Sequence, residues 1–228
     1  MNKKNARIIE PIISKSPFYY SPAEEKLNIL THGFGCLMSI VGLVFLILRA
    51  QKLGGEWSLI SFTVYGLSLV ILYAASTIYH YVQEPRLRLK LAIVDHAAIF
   101  LLIAGSYTPF TLITLPNPEG LMIFSAIWTC TFIGMFLKIF FTGRFEVIST
   151  IMYILMGWMA ILVIDPLMEN LAKMGVFWVF AGGISYTVGA FFFLLDHKLK
   201  FNHAIFHVFV LGGSFCHFLA VYYYVIPK

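Results

Sequence analysis

Apolar residues along this chain gather into long runs, and polar positions fall mostly between them. Seven runs of about 20 residues can be drawn: Leu27–Leu48, Leu59–Tyr81, Leu91–Ile113, Leu121–Phe141, Val147–Ile164, Val176–Leu195 and Ala204–Val225. At roughly 1.5 Å per residue, a helix of that length crosses the ~30 Å hydrocarbon core of a bilayer. In lipid the backbone must satisfy its own hydrogen bonds, and runs this long without strand alternation are helices. The pattern predicts an all-α membrane protein, a seven-helix transmembrane bundle. The connections are short, so residues 24–228 form one transmembrane domain behind a flexible basic cytosolic tail, residues 1–23. Pro11, Pro17 and Pro22 break that tail, and no apolar core precedes Leu27. It therefore does not read as a cleavable signal peptide, and the first helix is expected to act as an uncleaved anchor. Phe18, Tyr19 and Tyr20 suit the membrane interface.

Composition agrees with the pattern. The 228 residues are 60% hydrophobic and 12% charged, against about 25% charged in soluble domains. The net charge of +5 does not point to nucleic acid, because the basic residues divide between the two sides of the membrane. Lys3, Lys4, Arg7, Lys15, Lys26, Arg86, Arg88, Lys90, Lys138, Arg144, Lys198 and Lys200 fall on the side of the N-terminus. Arg49, Lys52, Lys173 and Lys228 fall opposite. Twelve against four places the N-terminus in the cytoplasm and the C-terminus outside, by the positive-inside bias. Lys138 is expected to snorkel to the cytoplasmic edge. Cys36, Cys130 and Cys216 lie in three different runs and match no disulfide or metal framework, so they read as packing residues.

Against this background, polar residues inside the runs carry the information. His203 and His207 stand at i and i+4 at the head of the last run. On a helix their Cβ atoms lie roughly 5–6 Å apart on one face, which suits two imidazoles sharing an ion. No Glu sits between them as in H-E-x-x-H, so other ligands must come from elsewhere. The second run ends in Ser76-x-x-x-His80, and the third begins with Asp95 and His96. A carboxylate inside an apolar run costs about 2.5–3.5 kcal/mol at the bilayer centre and less near the edge. Asp95 is therefore expected to face the bundle interior, beside a cationic partner. His96 points about 100° away and reads as an outer-face or packing histidine. Ser76 alone reads as a residue bonded to its own backbone, and His80 alone as interfacial. In the first run Glu25, Asn28 and His32 fall at i, i+3 and i+7: either a polar wall along a cavity, or a helix start plus an interfacial histidine. Thr108-Pro109 should kink the third helix. His217 shares the stripe of His207 but stands roughly 15 Å further along the axis, too far to ligate the same ion.

Orientation ties these positions together. The second helix runs inward and carries His80 near its end, while the third and seventh run outward and carry Asp95, His203 and His207 near their starts. All four fall just inside the cytoplasmic face, and His32 with them. Three histidines and a carboxylate at one depth make a zinc inventory, with three protein nitrogens and an open position for water. Zinc lowers the pKa of such a water to about 7.

Ser76-x-x-x-His80, Asp95 and His203-x-x-x-His207 resemble the signature of the progestin and adipoQ receptor superfamily. Thr31-His32-Gly33, Val94-Asp95-His96 and Ala104-Gly105-Ser106-Tyr107-Thr108-Pro109 are similar to its bacterial hemolysin III branch. The resemblance covers residues 24–226. It implies seven helices and Zn2+ near the cytoplasmic face, with His80, His203 and His207 matching the metal ligands. Asp95 matches the acid that reaches the metal through water, and Ser76 the polar partner beside it. The superfamily includes lipid-amide hydrolases related to ceramidases, and its bacterial branch is associated with haemolysis and membrane-lipid homeostasis. Two functions follow as expectations. One is a zinc hydrolase of acyl-lipid amide or ester bonds in the bacterial cell membrane, with Asp95 as base and Ser76 placing the carbonyl. The other is a membrane-state regulator or membrane-perturbing protein whose zinc is structural. No helix shows the long polar stripe of a pore.

Overall fold

The computed structural model describes residues 20–141, 146–195 and 198–226. Of the expected tail only residues 20–23 fall within it; Phe18 and Tyr19 lie outside the described residues. Among the described residues every regular element is helical. Helix α1 (Pro22–Leu53) starts where Ser21 Oγ accepts the N–H of Glu24 at 3.3 Å, with Pro22 at its first position. Helix α2 (Glu56–Tyr81) follows. Helix α3 (Pro85–Pro109) opens on Glu84, whose carboxylate accepts the N–H groups of Arg86 and Leu87 at 3.1 and 2.6 Å. The disturbance expected at Pro109 takes the form of a change of winding. Pro109 has no N–H to give, and the chain continues as a π-helical turn over Phe110–Thr114.

Helix α4 (Glu119–Phe141) leads to a fifth segment that is broken in the middle. It consists of α5 (Glu146–Gly157), a 3-10 turn (Met159–Val163) and α6 (Ile164–Asn170). Tyr107 of α3 stitches the break, donating its hydroxyl to Gly157 C=O at 2.7 Å and accepting from Ala160 N–H at 2.9 Å. The stretch Asp165–Lys173, which falls between the fifth and sixth apolar runs and reads in sequence as an outside loop, is helical as far as Asn170; Asn170 Nδ2 donates to Pro166 C=O at 2.7 Å. Helices α7 (Lys173–Leu194) and α8 (Asn202–Tyr224) complete the chain.

Among the described residues, six helical segments are long and apolar enough to cross a membrane: α1, α2, α4, the broken α5–α6, α7 and α8. The third expected run lies in α3, which is 25 residues long and is not among those six. It packs between α2 and α4. Neighbours in sequence lie side by side, and α8 closes on α1. The packing inverts that of a soluble protein. Helix α1 turns Phe34, Leu37, Val41 and Phe45 outward and buries Glu25, Asn28, His32 and Ser39. That is the distribution of a multi-pass membrane protein, whose outer surface meets lipid. Lys138 departs from expectation: it is buried rather than snorkelling, and it has an interaction partner.

Candidate metal centre

His80 comes from the last turn of α2, and His203 and His207 from the first two turns of α8. The start of α8 is unusual. Phe201 adopts a left-handed conformation with φ of 60°, and no side chain of its own caps the helix. Glu24 of α1 takes over that task, accepting the N–H of His203 at 3.3 Å. The three imidazoles are buried, and their ligand nitrogens all lie within 4.8 Å of one another. Nitrogens held at about 2.0–2.1 Å from a tetrahedral ion stand roughly 3.3 Å apart, so small ring rotations would close the set around one metal.

The other nitrogen of each ring is engaged outward. His80 Nδ1 donates to Glu25 Oε2 at 2.8 Å. His203 Nδ1 lies 2.8 Å from the Tyr20 hydroxyl, and His207 Nδ1 lies 3.2 Å from Thr31 Oγ1. This leaves Nε2 as the inward nitrogen, and that of His80 is buried with no hydrogen-bond partner. A buried polar atom left unpaired costs about 1–3 kcal/mol. Ligation of an ion removes that cost, so the donor set fits the metal that the sequence implies.

A cavity of about 120 Å³ adjoins the histidines. His32, Ser76, Asp95, His203 and His207 line it, as do Leu72, Ile99, Ile103 and Val210. Asp95 is thus beside the cluster but outside the group of three that could hold one ion. Its hydrogen bond comes from Ser76, not from a cation; the buried guanidinium of Arg88 pairs with Glu25 instead. Ser76 Oγ also lies 2.7 Å from His32 Nδ1, so Ser76 is not confined to its own backbone. The His32 ring stacks on His207, with centroids 3.4 Å apart and planes 9° from parallel. The polar wall expected as one reading of Glu25, Asn28 and His32 is therefore present, and all three are buried.

His96 does not face outward. It lines the same cavity, because α3 is enclosed by other helices and a 100° offset from Asp95 still meets the interior. His217 both hydrogen-bonds and lines. Its Nε2 donates to Val179 C=O at 3.1 Å, and its ring lies at the junction with a second cavity of about 50 Å³. Gly182 makes that possible, since a Cβ there would collide with the imidazole.

Sequence reasoning missed Tyr20, Thr31 and Arg88. The stripe Glu25, Asn28, His32 was the available signal for α1. Arg88 was hidden by being counted among the cytoplasmic positive charges.

A family model described as "Haemolysin-III related" matches residues 20–218. Hemolysin-3 of Bacillus cereus is 50% identical over 204 residues, covering 90% of this chain and 93% of that protein. The Hemolysin-3 homolog of Bacillus subtilis (strain 168) is 43% identical over 203 residues, covering 89% and 95%. Monocyte to macrophage differentiation factor of Homo sapiens is 28% identical over 214 residues, covering 90% and 87%. With its apolar helices and this near full-length match, the chain belongs to the haemolysin-III related family and is a multi-pass protein of the bacterial cell-membrane type.

Proposed function

We propose that this protein is a zinc-dependent hydrolase of acyl-lipid amide or ester bonds, acting in membrane-lipid homeostasis. In this reading His80, His203 and His207 hold the ion. Bound there, zinc supplies a Lewis acid that polarises a carbonyl and acidifies water. Asp95 accepts the proton that water gives up. Ser76, between His32 and Asp95, places the substrate carbonyl. The apolar wall of Leu72, Ile99, Ile103 and Val210 receives the acyl chain. One observation carries the reading: a largely apolar cavity meets the histidines at the wall that bears Asp95 and Ser76. A metal that merely tied α2 to α8 would need no such space beside it. That alternative, a membrane-perturbing protein with structural zinc, draws on the names of the Bacillus relatives.

Asp95→Asn separates the two. Asn cannot accept the proton, so hydrolysis should fall by about 10²–10⁴-fold while zinc is retained by the three histidines. The assay compares both proteins, with zinc measured in each, on ceramides, N-acyl amides and phospholipids in nanodiscs. Equal turnover in the two, or none in the wild type across the panel, removes the catalytic reading.

The same proposal takes α3 as the seventh span, with the N-terminus in the cytoplasm and the C-terminus outside. A reporter that fluoresces only in the cytoplasm should work at the N-terminus and stay dark at the C-terminus. A bright C-terminal fusion contradicts this topology.

A further inference from the structure

The outer hydrogen-bond partners of the histidines come from one place. Tyr20, Glu25, Asn28 and Thr31 all belong to the start of α1 or the residues just before it, whereas the histidines belong to α2 and α8. One helix end thus orients rings carried by two others. Of these partners only Glu25 is a carboxylate, and an ionised carboxylate can only accept; the Asn28 amide stands further from the same His80 nitrogen, at 3.5 Å against 2.8 Å. The Glu25 bond to His80 requires the proton on Nδ1 and leaves the lone pair on Nε2, the atom that is buried without a protein partner.

The second oxygen of Glu25 is engaged too, by the guanidinium of Arg88. Arg88 is 1% exposed. Its Nη1 donates to the carbonyls of Tyr79, His80 and Val82 at 3.2, 3.3 and 3.0 Å, and it lies 4.6 Å from the Tyr79 ring centre. These are carbonyls at the end of α2, which have no partner within the helix. Arg88 therefore secures the turn that carries His80, and Glu25 secures the ring on that turn. A buried carboxylate and guanidinium are costly to desolvate, and removing either strands the other. Such a pair is weak evidence for stability, so its use is to be sought in what it touches, and it touches a metal-ligating imidazole.

We propose that Glu25 is a positioning residue of the metal centre: it fixes the tautomer and the ring plane of His80, so that Nε2 is presented to the ion before the ion arrives. This rests on the zinc reading above. Metal ligands whose outer carboxylate partners are removed typically lose 10–100-fold in affinity.

The test is zinc affinity, measured on metal-depleted full-length protein in nanodiscs by competition with a chromogenic chelator. Glu25→Gln keeps the shape and removes the charge. It should bind zinc about 10–100-fold more weakly, and its cobalt-substituted form should show shifted ligand-field bands. Ser214→Ala is the control for general loosening. It breaks a buried hydrogen-bond set two helical turns from His207, none of whose bonds reaches His80, His203 or His207, and should keep the wild-type affinity and cobalt spectrum. A Glu25→Gln protein with wild-type affinity and spectrum overturns the proposal, as does an equal loss in Ser214→Ala. Wild type that binds no zinc overturns the zinc reading itself; zinc-binding wild type with an indifferent Glu25→Gln overturns only this inference. A second measurement needs no stable Glu25 variant. In metal-free wild type, 15N spectra of labelled imidazoles should show His80 protonated on Nδ1, and an Nε2-protonated His80 overturns the proposal.

Discussion

Two buried polar clusters sit on α8 two turns apart, around His207 and around Ser214, and their hydrogen bonds run in opposite senses. At Ser214 the Tyr73 hydroxyl donates to Oγ at 2.7 Å, the Tyr186 hydroxyl lies 2.8 Å from the same atom, and Tyr65 donates to the Ser214 carbonyl at 3.4 Å. A serine hydroxyl has one proton and two lone pairs, so that set closes on itself. It ties α2, α7 and α8 together and leaves nothing over. At His207 the outward nitrogens are satisfied by α1, and the rings converge on a point where His80 Nε2 finds no protein partner. A cluster that only joins helices uses up its hydrogen bonds internally. One built to bind holds its groups from behind and turns their inner atoms toward a common centre.

The contrast breaks most sharply at the histidines. His207→Ala removes one of the three proposed ligands, and zinc should drop from about one ion per chain to a trace. A chelator should lower the melting temperature of the wild type, because zinc that binds only the folded state stabilises it by mass action. The same chelator should leave His207→Ala unchanged. Full zinc in that variant, by elemental analysis, ends the case for the site. Ser214→Ala should do the reverse. It orphans the Tyr186 hydroxyl and leaves that of Tyr73 only the Val210 carbonyl at 3.4 Å, which costs about 1–3 kcal/mol of stability, and zinc should stay at the wild-type level. If the serine variant lost metal and kept its stability, the two clusters would have been assigned the wrong way round.

The sequence distinguishes these clusters only in part. His207 and Ser214 lie on one helical stripe, and spacing alone treats them alike. What separates them is the cost of polar groups in lipid combined with helix direction, which brings His80, Asp95, His203 and His207 to one depth. The three histidines do meet. The helical content was legible for the same reason, since runs of about 20 apolar residues have few alternatives in a bilayer. What stayed hidden depends on contacts between distant segments. Arg88 looks like any cytoplasmic basic residue until the fold brings it to Glu25 of α1 and the carbonyls at the end of α2. His96 reads as outward on an isolated helix, but α3 packs against α2, α4 and α5, and the ring meets the cavity between them. Asp165–Lys173 reads as a loop because it lies between two apolar runs, but Pro166 suits the first turn of a helix and α6 forms there.

The finest test of the contrast concerns rank within the histidine cluster. Tyr20 holds His203 as Glu25 holds His80, but with a neutral hydroxyl. A phenol can donate or accept, so it does not dictate the histidine tautomer as a carboxylate does. Tyr20→Phe keeps the ring, which packs 4.6 Å from the His203 ring between centroids, and removes the hydroxyl that bonds His203. A neutral hydrogen bond contributes about 0.5–1.5 kcal/mol net, equivalent to about 2–12-fold in affinity. Zinc binding by Tyr20→Phe, measured by the same chelator competition, should therefore weaken by that factor and by less than in Glu25→Gln. A loss as large as that of Glu25→Gln would show that charge does not set the order. In that case the whole start of α1 would act as one rigid support for the histidines, with no single dominant partner.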